Sequence, residues 1–594
     1  MSDILGIPPL SSTSPTHTVS TKVLIAGKDV TQNPGGLLSL SVYKELNRIP
    51  SATLIWADGA VEKGKFAKSG SPQFAPGQTI DVQLGYQNET ASVFKGLIVK
   101  HAVKASANRP STLELECKDP AIRMTLLRHS RYFIDMKDTD IFRQILETYA
   151  GAGISVGKLA ATDFTHPEMV QYHCTDWDFV LMRAEANGLV VVVNDGKVSI
   201  VKPEKASKVD FEVTWGNEII EIEAEIDART HYPDLSVSTW DNISGKVITE
   251  KGSGNTGALG GGAAGALGGL ASAASALASV VGIDLGIEDD KNNFPDVFYQ
   301  KKTPQLFHGG DIAGQELSAW AKGQQTRAER SQVRGRVQVR GQNFNPMQTI
   351  GLKKVAGRFN GTHLVTGVLH QIHSGTWEAD IQFGMSAKTF AETASHIAMP
   401  EAAGLVPAIQ GLHIGIVTKI EGDPVAGNHR IKVQIPFIAA QEGSRDGIWA
   451  RLATLSAGKE RGFVFKPELK DEVILGFINN DPNDAVVLGA LHSKEHKAPI
   501  ESKDANPQQG YFAKNGMALV FDDDKKSIEL KTKEGYAILL SEQEAKLELK
   551  DKNNNSIKLS SSGIEITSQS TISIKAVGEV SIKGKPIQLN KPGS

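Results

Sequence analysis

The residue types that most often carry catalysis or bind metals are present in this sequence but are not grouped in it. The only two cysteines, Cys117 and Cys174, lie far apart, and neither belongs to a Cys-x-x-Cys or Cys/His cluster. The spacing therefore favours neither a disulfide framework nor a zinc site. Several histidines stand singly or within predicted strands, a pattern that favours surface or packing roles over metal binding. These histidines are His308, His363, His370, His373 and His413.

One glycine-rich motif matches a phosphate-binding pattern in form. Gly260-Gly-Gly-Ala-Ala-Gly265 satisfies Gly-x-Gly-x-x-Gly, and Asp284 lies near the spacing of a ribose-binding acid. A dinucleotide site needs a strand directly before these glycines, and no strand pattern precedes them, so we interpret the match as chance in a glycine-rich segment. The sequence also contains no Gly-x4-Gly-Lys-Ser/Thr, His-Glu-x-x-His or Gly-x-Ser-x-Gly motif. We therefore predict no catalytic, cofactor-binding or metal-binding residue, no cofactor and no enzymatic activity.

Length and composition set the elements that the chain can build. With 594 residues the sequence is expected to form three to four domains. A formal net charge of -3 gives no general attraction to nucleic acid or to an anionic membrane. The N-terminus places Asp3 where a signal peptide carries Lys or Arg, and no apolar core follows, so we expect synthesis in the cytoplasm without a signal peptide.

The first half of the chain reads as β-structure with inserted helices. Short β-branched runs at 22–26 and 92–99, separated by turn residues, predict a small barrel or sandwich, and further strand patterns at 334–340, 348–355 and 362–370 predict a second barrel. A polar-faced helix is predicted at 311–331.

Two further helices and a hairpin lie between these barrels. Helical spacing predicts one helix over 138–151, capped by Asp138 or Thr139. Thr175-Asp-Trp-Asp178 matches a capping box and predicts a second helix that ends at Asn187-Gly188. The turn Asn194-Asp-Gly196 then predicts a β-hairpin.

An uncharged Gly/Ala-rich segment covers residues 252–283. Such glycine density favours a flexible surface insertion, which we expect to be the first site of proteolysis. A membrane-active segment is the alternative, because the stretch is long enough to span a bilayer although it is weakly apolar.

Residues 411–491 show five strand patterns with glycines at the bends. The patterns occupy 411–419, 430–436, 447–453, 472–478 and 485–491. This arrangement predicts a small closed barrel of the oligonucleotide/oligosaccharide-binding (OB) type. Residues 411–500 contain eleven Lys and Arg and eleven Asp and Glu, with few aromatic residues, so a nucleic-acid groove is disfavoured.

The C-terminal region has the strongest periodicity. Pairs of apolar residues two positions apart recur every seven to ten residues. Two inward side chains per strand are too few to form a core in one chain, whereas several chains wound about one axis could share these faces. The pairs are Ile528/Leu530, Ile538/Leu540, Leu547/Leu549, Ile557/Leu559, Ile564/Ile566, Ile572/Ile574, Val580/Ile582 and Ile587/Leu589.

This order of modules resembles the VgrG family of type VI secretion spikes and the related hub-spike proteins of phage tails and extracellular contractile injection systems. In the hub, the segment from Gln171 to Gly188 is similar to the family's helix start that leads to Arg and Gly before a hairpin. In the barrel, Gly462-Phe-Val-Phe-Lys-Pro467 and Asp471-Glu-Val-Ile-Leu-Gly-Phe477 are similar to the family's spike barrel, as are Arg430-Ile-Lys-Val, Trp449-Ala-Arg451, Asp481-Pro482 and Val487-Leu-Gly-Ala-Leu491.

The resemblance implies a mainly β protein. Its predicted parts are a flexible N-terminal arm (1–20), a hub with two tube-like β-barrels (21–395, with the insertion 252–283), an OB-fold spike base (405–500) and a triple-stranded β-helix needle (510–594). It also implies a homotrimer whose six hub barrels match a hexameric tail tube.

The function implied by the resemblance is mechanical. The hub is expected to cap the inner tube and nucleate baseplate assembly, and the needle to puncture a target membrane. Tail-tube and baseplate proteins are the expected partners at the hub, with effector cargo as a further class, and the particle is expected to act outside the producing cell or in a target cell.

A tip protein is expected at the needle end. Related spikes that close by themselves bind an ion through C-terminal histidines, whereas no histidine follows His496 here. The resemblance therefore implies a separate PAAR-type tip protein.

Two other classes of function remain as alternatives. A glycan-binding or glycan-cleaving β-solenoid tailspike or adhesin predicts clustered acids and aromatics on a long solenoid face, but no aromatic residue occurs after Tyr536. A barrel protein for single-stranded nucleic acid is disfavoured by the balanced charge.

Overall fold

A computed structural model describes residues 18–588, in two compact units, Met1–Met399 and Pro400–Ser594. The residues not described within this span are 32–35, 60–64, 107, 205–208, 231, 233, 242–243, 254–301, 309–311, 374, 396, 399, 426, 428 and 439–446. The glycine motif at 260–265, Asp284 and almost all of the predicted insertion 252–283 lie outside the described residues. The same holds for most of the predicted N-terminal arm, although the first strand already begins at Val19.

The first unit consists mainly of β-strands. In chain order the first ten are β1 (Val19–Ile25), β2 (Lys28–Asp29), β3 (Leu37–Glu45), β4 (Ser51–Ala57), β5 (Thr79–Tyr86), β6 (Glu89–Ser106), β7 (Arg109–Lys118), β8 (Arg128–Lys137), β9 (Ser155–Leu159) and β10 (Thr165–Thr175). The others are β11 (Val190–Asn194), β12 (Lys197–Val201), β13 (Phe211–Thr214), β14 (Ile219–Ile226), β15 (Asp234–Asp241), β16 (Lys246–Ser253), β17 (Gln305–His308), β18 (Val333–Arg340), β19 (Thr349–Lys353), β20 (Gly361–His373) and β21 (Thr376–Phe383). The helices are α1 (Asp138–Glu147), α2 (Asp176–Ala186), α3 (Gly314–Ser331) and α4 (Phe390–Thr393).

Thirteen of these strands form one sheet. Eleven of them follow the order β14-β18-β21-β20-β3-β4-β7-β6-β5-β1-β2. The other two join at β20, because β19 pairs with β20 and β13 pairs with β19. The strands of both predicted hub barrels are therefore joined by the antiparallel pairing of β20 with β3. Each half of the sheet keeps its own apolar core, one around Leu54, Trp56 and Leu115, the other around Val337, Val368 and Ile381. Alternation of buried and half-buried residues, as in β4, places one face of each strand in a core.

A helical insertion packs beside this sheet. Its core combines the apolar side of α1 with α2 and the β11–β12 hairpin. The hairpin turns at Asp195 and Gly196, both of which have positive φ, and its strands pair from Val190↔Val201 to Asn194↔Lys197, as the turn sequence predicts. A further small sheet, β16-β15-β17, packs Leu235 and Val237 against α3.

The second unit begins with the predicted OB-type barrel. Its strands are β22 (His413–Lys419), β23 (Ile431–Gln434), β24 (Ile448–Leu452), β25 (Ala457–Gly458), β26 (Arg461–Gly462), β27 (Glu472–Phe477) and β28 (Ala485–Ala490). Five of them close into a barrel in the order β22-β23-β24-β28-β27, and β25 and β26 form a separate hairpin. The core contains Val417, Val433, Val473 and Leu475. The prediction of a five-stranded closed barrel is confirmed.

After the barrel the chain forms a seven-stranded antiparallel meander. Its strands are β29 (Gln508–Phe512), β30 (Ala518–Asp522), β31 (Ser527–Lys531), β32 (Ala537–Ser541), β33 (Lys546–Lys550), β34 (Ser556–Ser560) and β35 (Gly563–Thr567), each paired with the next. The first five predicted apolar pairs lie on β31 to β35. The β-helix needle itself, which needs several chains, stays a prediction.

No helix in the described part of the chain combines the length and the apolar character needed to cross a membrane.

Candidate functional site: an apolar face on the C-terminal meander

Large apolar side chains occupy alternate positions on each strand of the meander from β30 to β35. In β31, for example, Ile528 and Leu530 point to one side, and Ser527, Glu529 and Lys531 to the other. Because the side-chain period is two, all the apolar pairs project from the same side of the sheet. We call this side the apolar face; it consists of Leu519, Phe521, Ile528, Leu530, Ile538, Leu540, Leu547, Leu549, Ile557, Leu559, Ile564 and Ile566.

The register stacks these residues into two continuous rows. Leu530 lies directly opposite Ile538, and Ile538 lies directly opposite Leu549. The second row is built in the same way, with Leu540 opposite Ile528 on one side and Leu547 on the other. Side chains directly opposite each other on one face are in contact range, so each row is a ladder of aliphatic groups.

The rows remain largely in contact with solvent in the single chain. Apart from the partly buried Leu547, the side chains of the apolar face are between 37% and 72% exposed. The first row lines a groove of ≈ 780 Å³ together with Ile572. A continuous apolar surface of this kind marks an interaction site.

The apolar pattern continues beyond the last strand. Residues 568–588 include Ile572, Ile574, Val580, Ile582 and Ile587, all exposed, and this stretch has no strand in the single chain. The sequence predicts strands here, and the single chain forms none. Leu589, the last member of the pattern, lies outside the described residues.

The helical insertion of the first unit contains a cluster of buried charged groups around Asp138. Asp138 or Thr139 was predicted as the helix cap, but Lys137 occupies the cap position of α1 and makes no side-chain cap bond. The predicted role of Asp138 was wrong, because its carboxylate turns into the protein and accepts hydrogen bonds from Arg183 Nε at 2.8 Å and Nη2 at 2.9 Å. His166 Nε2 lies 3.0 Å from the same carboxylate.

The neighbouring side chains lower the pKa of Asp138. Burial alone would raise the pKa of Asp138, but the hydrogen bonds from Arg183 and His166 outweigh burial and hold that pKa below its usual range. Arg183 also donates to Glu316 Oε1 of α3 at 2.8 Å. The cluster thus ties α1, α2 and α3 together through one guanidinium, which is a structural role.

The histidines named from the sequence are not brought together. His370 is fully buried with Nε2 3.1 Å from the Phe344 carbonyl oxygen, His363 lies 2.9 Å from the Phe359 carbonyl oxygen, and His413 lies 3.0 Å from that of Gln410. His308 and His373 are exposed at the ends of their strands. Within the described ranges, no three His, Cys, Asp or Glu side chains are grouped closely enough to hold a metal. Cys117 and Cys174 are buried free thiols.

One buried lysine was not predicted from the sequence. Lys44 follows Leu40 and Val42 on the inward side of β3, and its Nζ donates to Asn194 Oδ1 and Asn345 Oδ1, each at 2.8 Å. Burial lowers its pKa to about 8. The alternation of β3 alone was the signal that placed Lys44 inside.

Comparison with known proteins agrees with this architecture. Residues 15–280 and 290–374 match the family described as the Alg8 N-terminal domain, and residues 413–492 match the type VI secretion system/phage-baseplate injector OB domain. The type VI secretion system spike protein VgrG5 of Pseudomonas aeruginosa is 26% identical over 160 residues, and VgrG3 of Vibrio cholerae is 25% identical over 146 residues. The chain belongs to the Alg8 N-terminal domain family and is a VgrG-family spike protein.

The matches to individual VgrG proteins are partial. The alignment with VgrG5 covers 24% of this chain and 20% of VgrG5, and that with VgrG3 covers 23% of this chain and 14% of VgrG3. The 43 kDa tail protein of prophage MuSo2 from Shewanella oneidensis is similar at a TM-score of 0.43 and 11% identity, over 62% of this chain and 98% of that one. A component of the Escherichia coli type VI secretion system, c3393, is similar at a TM-score of 0.35 and 13% identity, over 79% of this chain and all of that one. At these TM-scores the family assignment rests on the sequence matches.

Proposed function

We propose that this VgrG-family protein is the trimeric hub-spike of a contractile injection system. The observation that carries the proposal is the apolar face of the meander, which a single chain leaves exposed. Fully burying one aliphatic side chain of this size stabilises an assembly by roughly 1.5–3 kcal/mol, so two rows of them favour association strongly. Three chains that turn these rows toward one axis form a needle with a dry interior and a polar outer surface.

The polar side of the meander suits the outside of such a needle. Glu529 lies opposite Leu539, which in turn lies opposite Glu548, and Glu548 lies opposite Lys558. On this side β31, β33 and β34 each carry charged side chains, as strands on a solvated surface do. The proposed needle is stiff because each strand from β29 to β35 is hydrogen-bonded to the next one along the chain.

The mechanical role follows from the order of the units. In this proposal the hub caps the inner tube and nucleates the baseplate, the OB barrel joins hub to needle, and sheath contraction drives the needle through the target membrane. The protein has no catalytic step of its own. Support comes from the family assignment and from curated relatives that are named as spike proteins.

The partners in this proposal are tube and baseplate proteins at the hub, effector cargo, and a PAAR-type tip protein at the C-terminal end. The exposed apolar residues between Ile572 and Ile587 are the surface that such a tip would cover. Removing residues from Val580 onward should abolish capture of the tip while the remaining chain still associates. Equal capture by the truncated and intact proteins would contradict this part of the proposal.

Mass measurement tests the proposal directly. Light scattering of the intact protein at micromolar concentration should give three times the chain mass of 63.7 kDa. A particle of one chain mass would overturn the proposed assembly and with it the needle.

A further inference from the structure

A second exposed apolar segment lies on the barrel, between β26 and β27. Phe463, Val464 and Phe465 follow one another there without an intervening charge, and Val464 is 83% exposed. None of the three belongs to the barrel core. Three consecutive exposed apolar residues are unusual on a surface that faces only water.

The segment is held in place by its backbone. Phe463 N donates to the Ser456 carbonyl oxygen at 2.9 Å, and Thr454 Oγ1 donates to the Phe463 carbonyl oxygen at 3.1 Å. Gly462 precedes it with φ +134, and a Cβ there would lie 2.3 Å from the Ser456 carbonyl oxygen. The local structure thus requires glycine at 462 and presents the apolar side chains outward.

These side chains continue the apolar face of the meander. The rings of Phe465 and Tyr511 lie 4.6 Å apart between centroids, and those of Phe463 and Phe465 lie 6.0 Å apart. Tyr511 on β29 lies directly opposite Leu519 on β30, and Leu519 lies directly opposite Leu530. One row of the apolar face therefore runs without interruption from the meander onto the barrel.

We propose that Phe463, Val464 and Phe465 form the barrel's own contact with a second copy of this chain. The inference rests on the proposed trimer and extends its interface from the needle across the joint between needle and barrel. Continuity with the apolar face identifies the occupant, because the copies that cover the rows of the meander also reach the segment at the row's end. An ion pair, Lys514 Nζ to Glu468 Oε2 at 3.0 Å, bridges the same joint within one chain.

The contact has a mechanical consequence. If the copies met only along the meander, the joint could bend when the needle is loaded from one end. Aromatic side chains buried between copies at the joint resist bending, since stacked or edge-on aromatic pairs attract each other beyond the gain from their burial. The segment would then transmit force from the barrel to the needle.

Thiol labelling tests the contact. Val464→Cys introduces one surface thiol into a chain whose two native cysteines are buried. The matched control is Lys494→Cys, at an exposed position on the same unit where a lysine must stay in water. In the intact trimer we expect a maleimide to react with the Val464→Cys thiol at least tenfold more slowly than with the Lys494→Cys thiol.

Equal labelling rates in a sample whose mass is that of a trimer would overturn this inference and leave the proposed trimer standing. A mass of one chain would overturn both. As a second measurement, Val464→Lys should raise the concentration below which the trimer dissociates into single chains by at least tenfold, whereas Leu405→Lys, at a position that is 81% exposed and outside both the segment and the apolar face, should leave that concentration unchanged. Equal effects of the two lysines would also contradict the contact.

Discussion

Ile538 lies directly opposite Leu549 across the β32–β33 pair, on the apolar face, and the two residues are 38% and 40% exposed in the single chain. A cross-strand pair of this kind normally packs beneath a second layer. Here the second layer has to come from outside the chain.

Ile538→Lys should break the trimer. It places an ammonium in the middle of a shared apolar interior, and burying an unpaired charge costs at least several kcal/mol, which corresponds to more than about a hundredfold loss of association. Sedimentation velocity over a concentration series measures the loss.

The matched control is Leu539→Lys, one residue further along β32. Residue 539 faces the opposite side and lies between Glu529 and Glu548, so a lysine there gains two carboxylate neighbours. This variant should sediment as the parent does. Loss of the trimer in both variants, or in neither, would show that the apolar face is not the interface.

Arg183→Met should destabilise the first unit. It leaves Asp138 buried without its principal partner and also removes the bond to Glu316, and breaking a buried ion pair from one side costs about 3–5 kcal/mol. Urea unfolding followed by fluorescence measures the change. Arg229→Met, which removes an arginine whose side chain is 81% exposed and pairs with Asp227, should leave the unfolding midpoint in place. A similarly small effect at Arg183 would contradict the structural role of the cluster.

His370 predicts a pH dependence of stability. Burial, helped by the positive charge of Lys44, lowers the pKa of His370 from 6.5 to about 4. As the pH falls below 6.5 the unfolded chain takes up a proton that the folded chain does not accept until about pH 4. The free energy of unfolding therefore falls as the pH drops from 6.5 to 4, and at pH 4 the loss due to His370 is about 3 kcal/mol.

Asp119 opposes this loss, because burial raises its pKa to about 6 and the folded chain then binds a proton before the unfolded chain does. The comparison of wild type with His370→Gln isolates the histidine. The stability of the wild type relative to the variant should fall by about 3 kcal/mol between pH 7 and pH 4. His373→Gln, at an exposed position on the same strand, should give a curve parallel to the wild type. A constant difference for His370→Gln would contradict the prediction.

Thr175→Ala should cost about 1 kcal/mol, because it removes the hydroxyl that accepts a hydrogen bond from Asp178 N at the start of α2, at 3.1 Å. Thr175→Ser keeps the acceptor and should recover most of the loss. Thermal unfolding of the three proteins provides the measurement, and equal stability of the Ala and Ser variants would argue against the cap.

The sequence by itself determined the structural elements that depend only on residues close together in the chain. The Thr175 cap, the Asn194-Asp-Gly196 turn and the strands of the OB barrel were all predicted, because a cap, a turn and a period of two act within a few residues. The same reasoning found the apolar pairs from Ile528 to Ile566. The two-residue spacing within each pair is sufficient to place both side chains on the same side of the strand.

Contacts between distant parts of the chain were decided only by the tertiary structure. Glu45 lies opposite Gly367, and this β3–β20 pairing joins two predicted barrels into one sheet although no local pattern specifies which edges meet. Asp138 has a good sequence for a cap, yet Arg183 and His166, brought near by folding, draw its carboxylate inward. Strand partners and buried ion pairs depend on which faces the whole chain can bury together, and a sequence window contains neither the partner nor the register.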